Sequence, residues 1–188
     1  NYLNKLKKNY ERFKIYNFGL YSKNCQMKIH KAFYNNKYFH FNNSFDRNYI
    51  KNKLRENYPK IHKKFKLNQQ KLILKKFDSL NLNLNACFIK IDVEGLDHEV
   101  LKGMMKFIKL NKPVILIEYN YSNFGIIYNI IKKYYDCYRY EVEKNKLLKL
   151  KKNELIRLIN GNILETKYKK NSVNLYYLKK NYNFRNKF

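Results

Sequence analysis

Residues Phe88–Gly103 read FIKIDVEGLDHEVLKG. An apolar run, Phe88, Ile89 and Ile91, meets Asp92, a turn at Gly95, and then Leu96, Val100 and Leu101, continued by Met104 and Ile108 at helical spacing. This predicts a buried strand, a tight turn and a helix whose apolar face packs on a sheet, with Lys102, Lys106 and Lys109 largely off that face. The next apolar run, PVILIEY at 113–119, predicts a second strand, with Pro113 just before it where a missing amide donor does least harm. Strand, helix and strand with short punctuation form a βαβ unit, and the fold class expected is α/β.

The acidic residues of this stretch divide by position. In an open α/β sheet, ligands bind beyond the carboxyl ends of the strands, where loops and helix amino termini converge. Asp92 and Glu118 end the two strands. If those strands are neighbours, both carboxylates face one crevice able to hold ribose hydroxyls, an ammonium group, a metal or a substrate proton. Glu94 is a further candidate for that crevice, and Gly95 allows the backbone to turn closely. Asp97 and Glu99 fall in the first helical turn, where the helix dipole stabilises an acid by about 0.3–1 kcal/mol. His98 lies in the same acidic turn and is a candidate substrate contact.

Working outward, residues 2–13 carry Leu3, Leu6 and Tyr10 at helical spacing, and KIYNFGLYS predicts a short strand ended by Gly19. CQMKIHKAFY alternates as a half-exposed strand does and suggests an edge hairpin. Residues 35–70 are aromatic, basic and Asn-rich, and read as a variable loop or insertion with one helix in FDRNYIKNKLREN, closed from beyond by Pro59. KLILKKF predicts a strand, and Asp78-Ser79 a cap for the leucine-bearing segment that follows. NFGIIYNIIKKYY predicts a helix burying Ile126, Ile127, Ile130 and Ile131. CYRYEVE and SVNLYYLKK read as a terminal antiparallel strand pair, separated by a polar connection with a helix around NELIRLIN.

A chain of 188 residues with 45% hydrophobic content suits one domain, 1–188. No apolar run approaches the roughly 18–20 residues that cross a bilayer. Cys25, Cys87 and Cys137 lack CxxC spacing, which predicts reduced thiols and a cytoplasmic setting; the four histidines show no metal-site spacing either. No GxSxG elbow supports nucleophilic hydrolysis. The net charge of +27 is spread from Lys5 to Lys187 beside abundant Asn, Tyr and Ile, a pattern of compositional bias. It also leaves open a different class of function, a non-catalytic basic module binding nucleic acid or an anionic surface, with Tyr and Phe interleaved with Lys in KAFYNNKYFHF and IIKKYYDCYRY.

The ordered set KKFDSL, FIKIDVEGLDHEVLKG and PVILIEYN resembles the central block of the FkbM-type S-adenosylmethionine-dependent methyltransferases. Lys71–Asn120 carries most of the resemblance, with weaker similarity from Tyr2 through IYNFGLYSKN and in the terminal strand pair. It implies a partial class I methyltransferase, or Rossmann-like, sheet. The family's glycine-rich cofactor loop and its acidic ribose-binding strand have no counterpart here, so the chain reads as an amino-terminally truncated portion. The strands near Ile15 and Phe88 then lack their central neighbours. The resemblance further implies S-adenosylmethionine as cofactor, contacted by Gly19, Leu20, Tyr21 and Asp92. It implies Asp92 and Glu94 as catalytic residues, Glu118 and His98 toward the substrate, and a small-molecule or glycan hydroxyl as methyl acceptor.

Overall fold

The computed structural model describes residues 14–35, 37–93, 95–161 and 174–181. The helix expected over 2–13 lies outside them. Nine strands form two sheets among the described residues. The first contains β1 (Gly19–Tyr21), β2 (Cys25–Tyr34), β3 (Lys37–Ser44) and β4 (Lys66–Lys76) in the order β1-β4-β2-β3. The second contains β5 (Phe88–Ile91), β6 (Val114–Glu118), β7 (Tyr135–Glu141), β8 (Lys146–Lys149) and β9 (Asn174–Lys179) in the order β5-β6-β9-β7-β8. No helix among the described residues is long and apolar enough to cross a membrane.

The βαβ unit forms as its apolar pattern dictates. β5 and β6 pair in parallel, Ile91 opposite Ile117. Between them run two helices rather than one, α2 (Asp97–Gly103) and α3 (Met105–Asn111). Asp78 explains the break. Its carboxylate accepts the backbone N–H groups of Lys106 and Phe107 at 2.9 and 3.0 Å, diverting them from the carbonyls one turn back. Asp78 thus caps a helix 28 residues downstream; the segment it was expected to start, Leu80–Asn85, is not helical. The apolar face is as predicted, with Val100, Leu101, Met104 and Ile108 buried against Ile115, Ile117 and Tyr177 of the sheet in one core.

Helix α4 (Tyr121–Ile131) follows β6 and buries Phe124, Ile127 and Ile131; Ile126, expected inside, is 45% exposed because it falls on the outer side of the helix. The terminal strands pair antiparallel, β7 with β9, and β9 inserts between β7 and β6. The connection holds α5 (Lys152–Ile159) and also β8, which the sequence reading did not separate from its polar surroundings.

The first sheet departs further from expectation. The hairpin at the sheet edge is there, formed by β2 with β3, but β3 is its edge strand and β2 is interior, paired antiparallel to both β3 and β4. Residues 35–70, read as a loop with one helix, contain that helix, α1 (Arg47–Asn57), and also form β3 and the start of β4. Aromatic density hid the alternation: Phe39, Tyr58 and Phe65 meet at ring separations of 4.9–5.8 Å and cover Ala32, Ile50 and Leu54 in a small second core. The helix itself starts as the sequence indicates, with Asp46 accepting the N–H groups of Asn48 and Tyr49 at 2.7 and 3.2 Å. β1 pairs in parallel with β4, Gly19 opposite Leu74. Among the described residues β1 and β5 are both edge strands.

Candidate functional site

The parallel register that sets Ile91 beside Ile117 brings Asp92 and Glu118 together at the carboxyl ends of β5 and β6. Side chains alternate along a strand, so while Ile91 and Ile117 enter the core, the following Asp92 and Glu118 turn away from it and are exposed. Lys90, two residues before Asp92 on the same face, approaches its carboxylate at 2.8 Å. That hydrogen bond raises the Lys90 ammonium above its ordinary pKa, and Glu118 adds to the effect.

These carboxylates border a cavity of about 520 Å³ with three walls. Asp92, Gly95, Leu96 and Asp97 come from the β5–α2 turn; Glu118, Tyr119, Asn120 and Ser122 from the β6–α4 turn; Ser44, Phe45, Asp46 and Tyr49 from the β3–α1 junction. No lysine or arginine borders it among the described residues, in a chain that has 41 of them. An adjoining apolar pocket of about 240 Å³ shares Ser44, Phe45 and Leu96 and adds Gly19, Leu20, Ile29, Leu72, Leu74 and Val93.

The turn between β5 and α2 is held by a buried polar knot. Gly95 has φ +92°, a left-handed conformation in which a side chain is strained, while a Cβ there would make only an ordinary contact with the Asn120 side-chain amide at 3.8 Å. Asp97, 4% exposed, accepts the Val93 N–H and the Asn123 side-chain amide, each at 3.3 Å, and that amide also donates to the Gly95 carbonyl at 3.2 Å. A buried carboxylate without such donors would be costly. Asp97 therefore starts its helix as expected, and in addition ties α4 to the turn and borders the cavity. Asn120 caps α4, its side-chain oxygen accepting the Ser122 N–H at 3.0 Å and the Ser122 hydroxyl at 2.7 Å.

Other expected site residues fall elsewhere. Glu94 lies outside the described residues. His98 does not border the cavity: its Nε2 stands 3.5 Å from the Glu99 carboxylate. Glu99 accepts hydrogen bonds from Lys102 at 2.6 Å and from the Ser22 hydroxyl, which together hold its carboxyl below the usual range, with Lys102 the larger cause. Gly19 and Leu20 border the apolar pocket, but Tyr21 does not; its carbonyl packs against Gly103 of α2. The sequence reading expected the segment 35–70 to shape the acceptor pocket but named none of the residues of the β3–α1 wall. The wall's visible signal was the cap Asp46 before a helical pattern, which locates a helix start but not its neighbour across the fold.

The family model described as the Methyltransferase FkbM domain matches residues 2–140. No curated protein and no solved structure matches the chain.

Proposed function

The chain belongs to the FkbM methyltransferase family, and on that premise we propose that it is an S-adenosylmethionine-dependent O-methyltransferase acting on a small-molecule or glycan hydroxyl. The observation that carries this reading is the parallel β5–β6 pairing, which sets Asp92 and Glu118 side by side at the mouth of a cavity. The reading takes the five-stranded sheet as part of a class I methyltransferase sheet. A parallel pair followed by antiparallel β9, with β7 beyond it running in the direction of β6, supports it.

The residues present suit the cofactor chemically. A cavity rimmed by Asp46, Asp92, Asp97 and Glu118 without a cation favours an ammonium or sulfonium charge, and carboxylates accept from ribose hydroxyls. The adjoining apolar pocket, with Leu20, Val93 and Leu96, suits a flat heterocycle. Gly19, Leu20 and Asp92 would hold the cofactor, which when bound supplies an electrophilic methyl group.

The protein's part is binding, orientation and proton handling. Asp46 and Asp97 already accept backbone N–H bonds, so they are committed to holding the walls. Asp92 and Glu118 are the exposed carboxylates left to meet an acceptor hydroxyl. Asp92 orients that hydroxyl and accepts its proton as the oxygen becomes nucleophilic, while Lys90 holds the carboxylate in position by its 2.8 Å contact. Phe45 and Tyr49 form the opposite wall and contact the acceptor's apolar body.

Titrating S-adenosylmethionine into the protein and into its Asp92→Asn variant tests this assignment. Loss of one charge-assisted hydrogen bond predicts affinity lower by about tenfold or more, with turnover falling alongside. Equal affinity and turnover in the two proteins would remove Asp92 from the site.

A further inference from the structure

A third pocket, of about 300 Å³, opens at the opposite end of the five-stranded sheet. β9 runs antiparallel to β6 and β7, so its carboxyl end reaches the amino ends of those strands, and the Lys180 N–H bonds the Tyr134 carbonyl there at 3.0 Å. Asp92 and Glu118 stand at the other end of β5 and β6. Lys109, Lys112, Lys133, Lys179 and Lys180 surround this pocket, and no acidic residue borders it among the described residues. With 41 Lys and Arg in 188 residues, nine lining residues would by composition hold about two cations, not five.

The five lysines differ from others on this surface. Lys53, Lys90, Lys102 and Lys149 each meet a carboxylate within 2.9 Å, whereas none of the five forms an ion pair among the described residues. Two are held in place without a counter-charge: the Lys109 and Lys133 ammonium groups lie 5.2 and 5.9 Å from the centre of the Tyr134 ring. Part of the lysine excess answers the carbonyl ends of α3 and α4, which finish nearby at Asn111 and Ile131. Each helix end carries only about half a negative charge, so most of the positive charge stays uncompensated. Tyr135 borders the same pocket; its hydroxyl has no hydrogen-bond partner among the described residues, and burial pushes its pKa up to about 12, leaving it a neutral donor.

We propose that this lysine-ringed pocket binds a compact ligand bearing two or more phosphoryl groups, at a site separate from the candidate active site. Lysines act as point charges that need no planar partner, and five of them call for more negative charge than a single carboxylate carries, which a chain of phosphoryl groups supplies. Mutual repulsion among five ammonium groups is relieved most by a ligand of several negative charges in a small volume. The Tyr134 ring is engaged by two cations and offers no free platform for a base, so the phosphoryl chain itself is the recognised feature.

Calorimetric titration of inorganic tripolyphosphate into the chain at about 0.15 M salt tests this. The expected result is saturable binding at one ligand per chain. Affinity falls by about tenfold or more in Lys133→Ala/Lys179→Ala, and stays within about twofold in the control Lys60→Ala/Lys63→Ala, whose lysines are exposed and outside the pocket. The charge-keeping Lys133→Arg/Lys179→Arg variant retains binding. An ATP arm separates the sources: equal affinity assigns the bare phosphoryl chain, and tighter ATP binding assigns a nucleotide. Unsaturable binding, or equal losses in the pocket and control variants, would overturn the proposal.

Discussion

At Gly103 the chain has no room for a side chain. A Cβ there would lie 2.1 Å from the carbonyl oxygen of Tyr21 and 2.9 Å from its carbon, both backbone atoms that cannot rotate aside. Helix α2 and strand β1 therefore approach as closely as two backbones can, and Leu20 beside that contact borders the apolar pocket. Gly103→Ala is expected to lower unfolding free energy by about 1–3 kcal/mol through overpacking, read as an earlier urea midpoint; an unchanged midpoint would show that β1 can shift away. Asp97 carries a different lesson at this scale. Its place in a first helical turn was legible, but its burial and its bond to Asn123 depend on α4 packing alongside, which no local pattern announces.

Among the elements, the break at Met104 shows how far local periodicity reaches. The apolar stripe from Val100 to Ile108 is continuous and gives the buried face correctly, yet the helix restarts because a carboxylate from a distant turn caps it. Asp78→Ala should cost about 1 kcal/mol of stability, with Asp78→Asn retaining part of it, since its single amide oxygen can still accept one of the two N–H groups. Chemical denaturation of the three proteins checks that order, and equal loss in both variants would contradict a capping role. Strand identity was likewise readable where strand neighbours were not: β2 alternates as an edge strand would, but the pairing that makes it interior comes from β3 and β4. Within residues 35–70 the helix was legible, but β3 and the start of β4 were missed for a compositional reason, because aromatic and lysine residues alternate too irregularly there to show the period of two.

Across the whole molecule, 41 cations against 14 acids place the folded state under self-repulsion. Adding chloride salt from about 0.05 to about 0.5 M should raise the thermal midpoint as the screening length shrinks, by roughly 2–4 °C for each kcal/mol of repulsion relieved. A midpoint that stays level or falls would mean that local ion pairs outweigh the global charge. The site was half legible at this scale: Asp92 and Glu118 followed from strand ends and the expectation that the strands are neighbours, whereas Ser44, Phe45, Asp46 and Tyr49 reach the cavity only through folding of the first sheet.

That sheet leaves the main path and returns beside it, Tyr21 opposite Lys76 in the β1–β4 ladder and Cys25 opposite Leu74 in the β2–β4 ladder. Closure entropy depends on the gap between a segment's ends and only logarithmically on its length, each doubling costing about 0.6 kcal/mol. The far end of β2, β3 and β4 is thus free to lengthen at little energetic cost. The wall opposite Asp92 behaves as a cassette, open to replacement while the strand ends that carry the two carboxylates stay as they are.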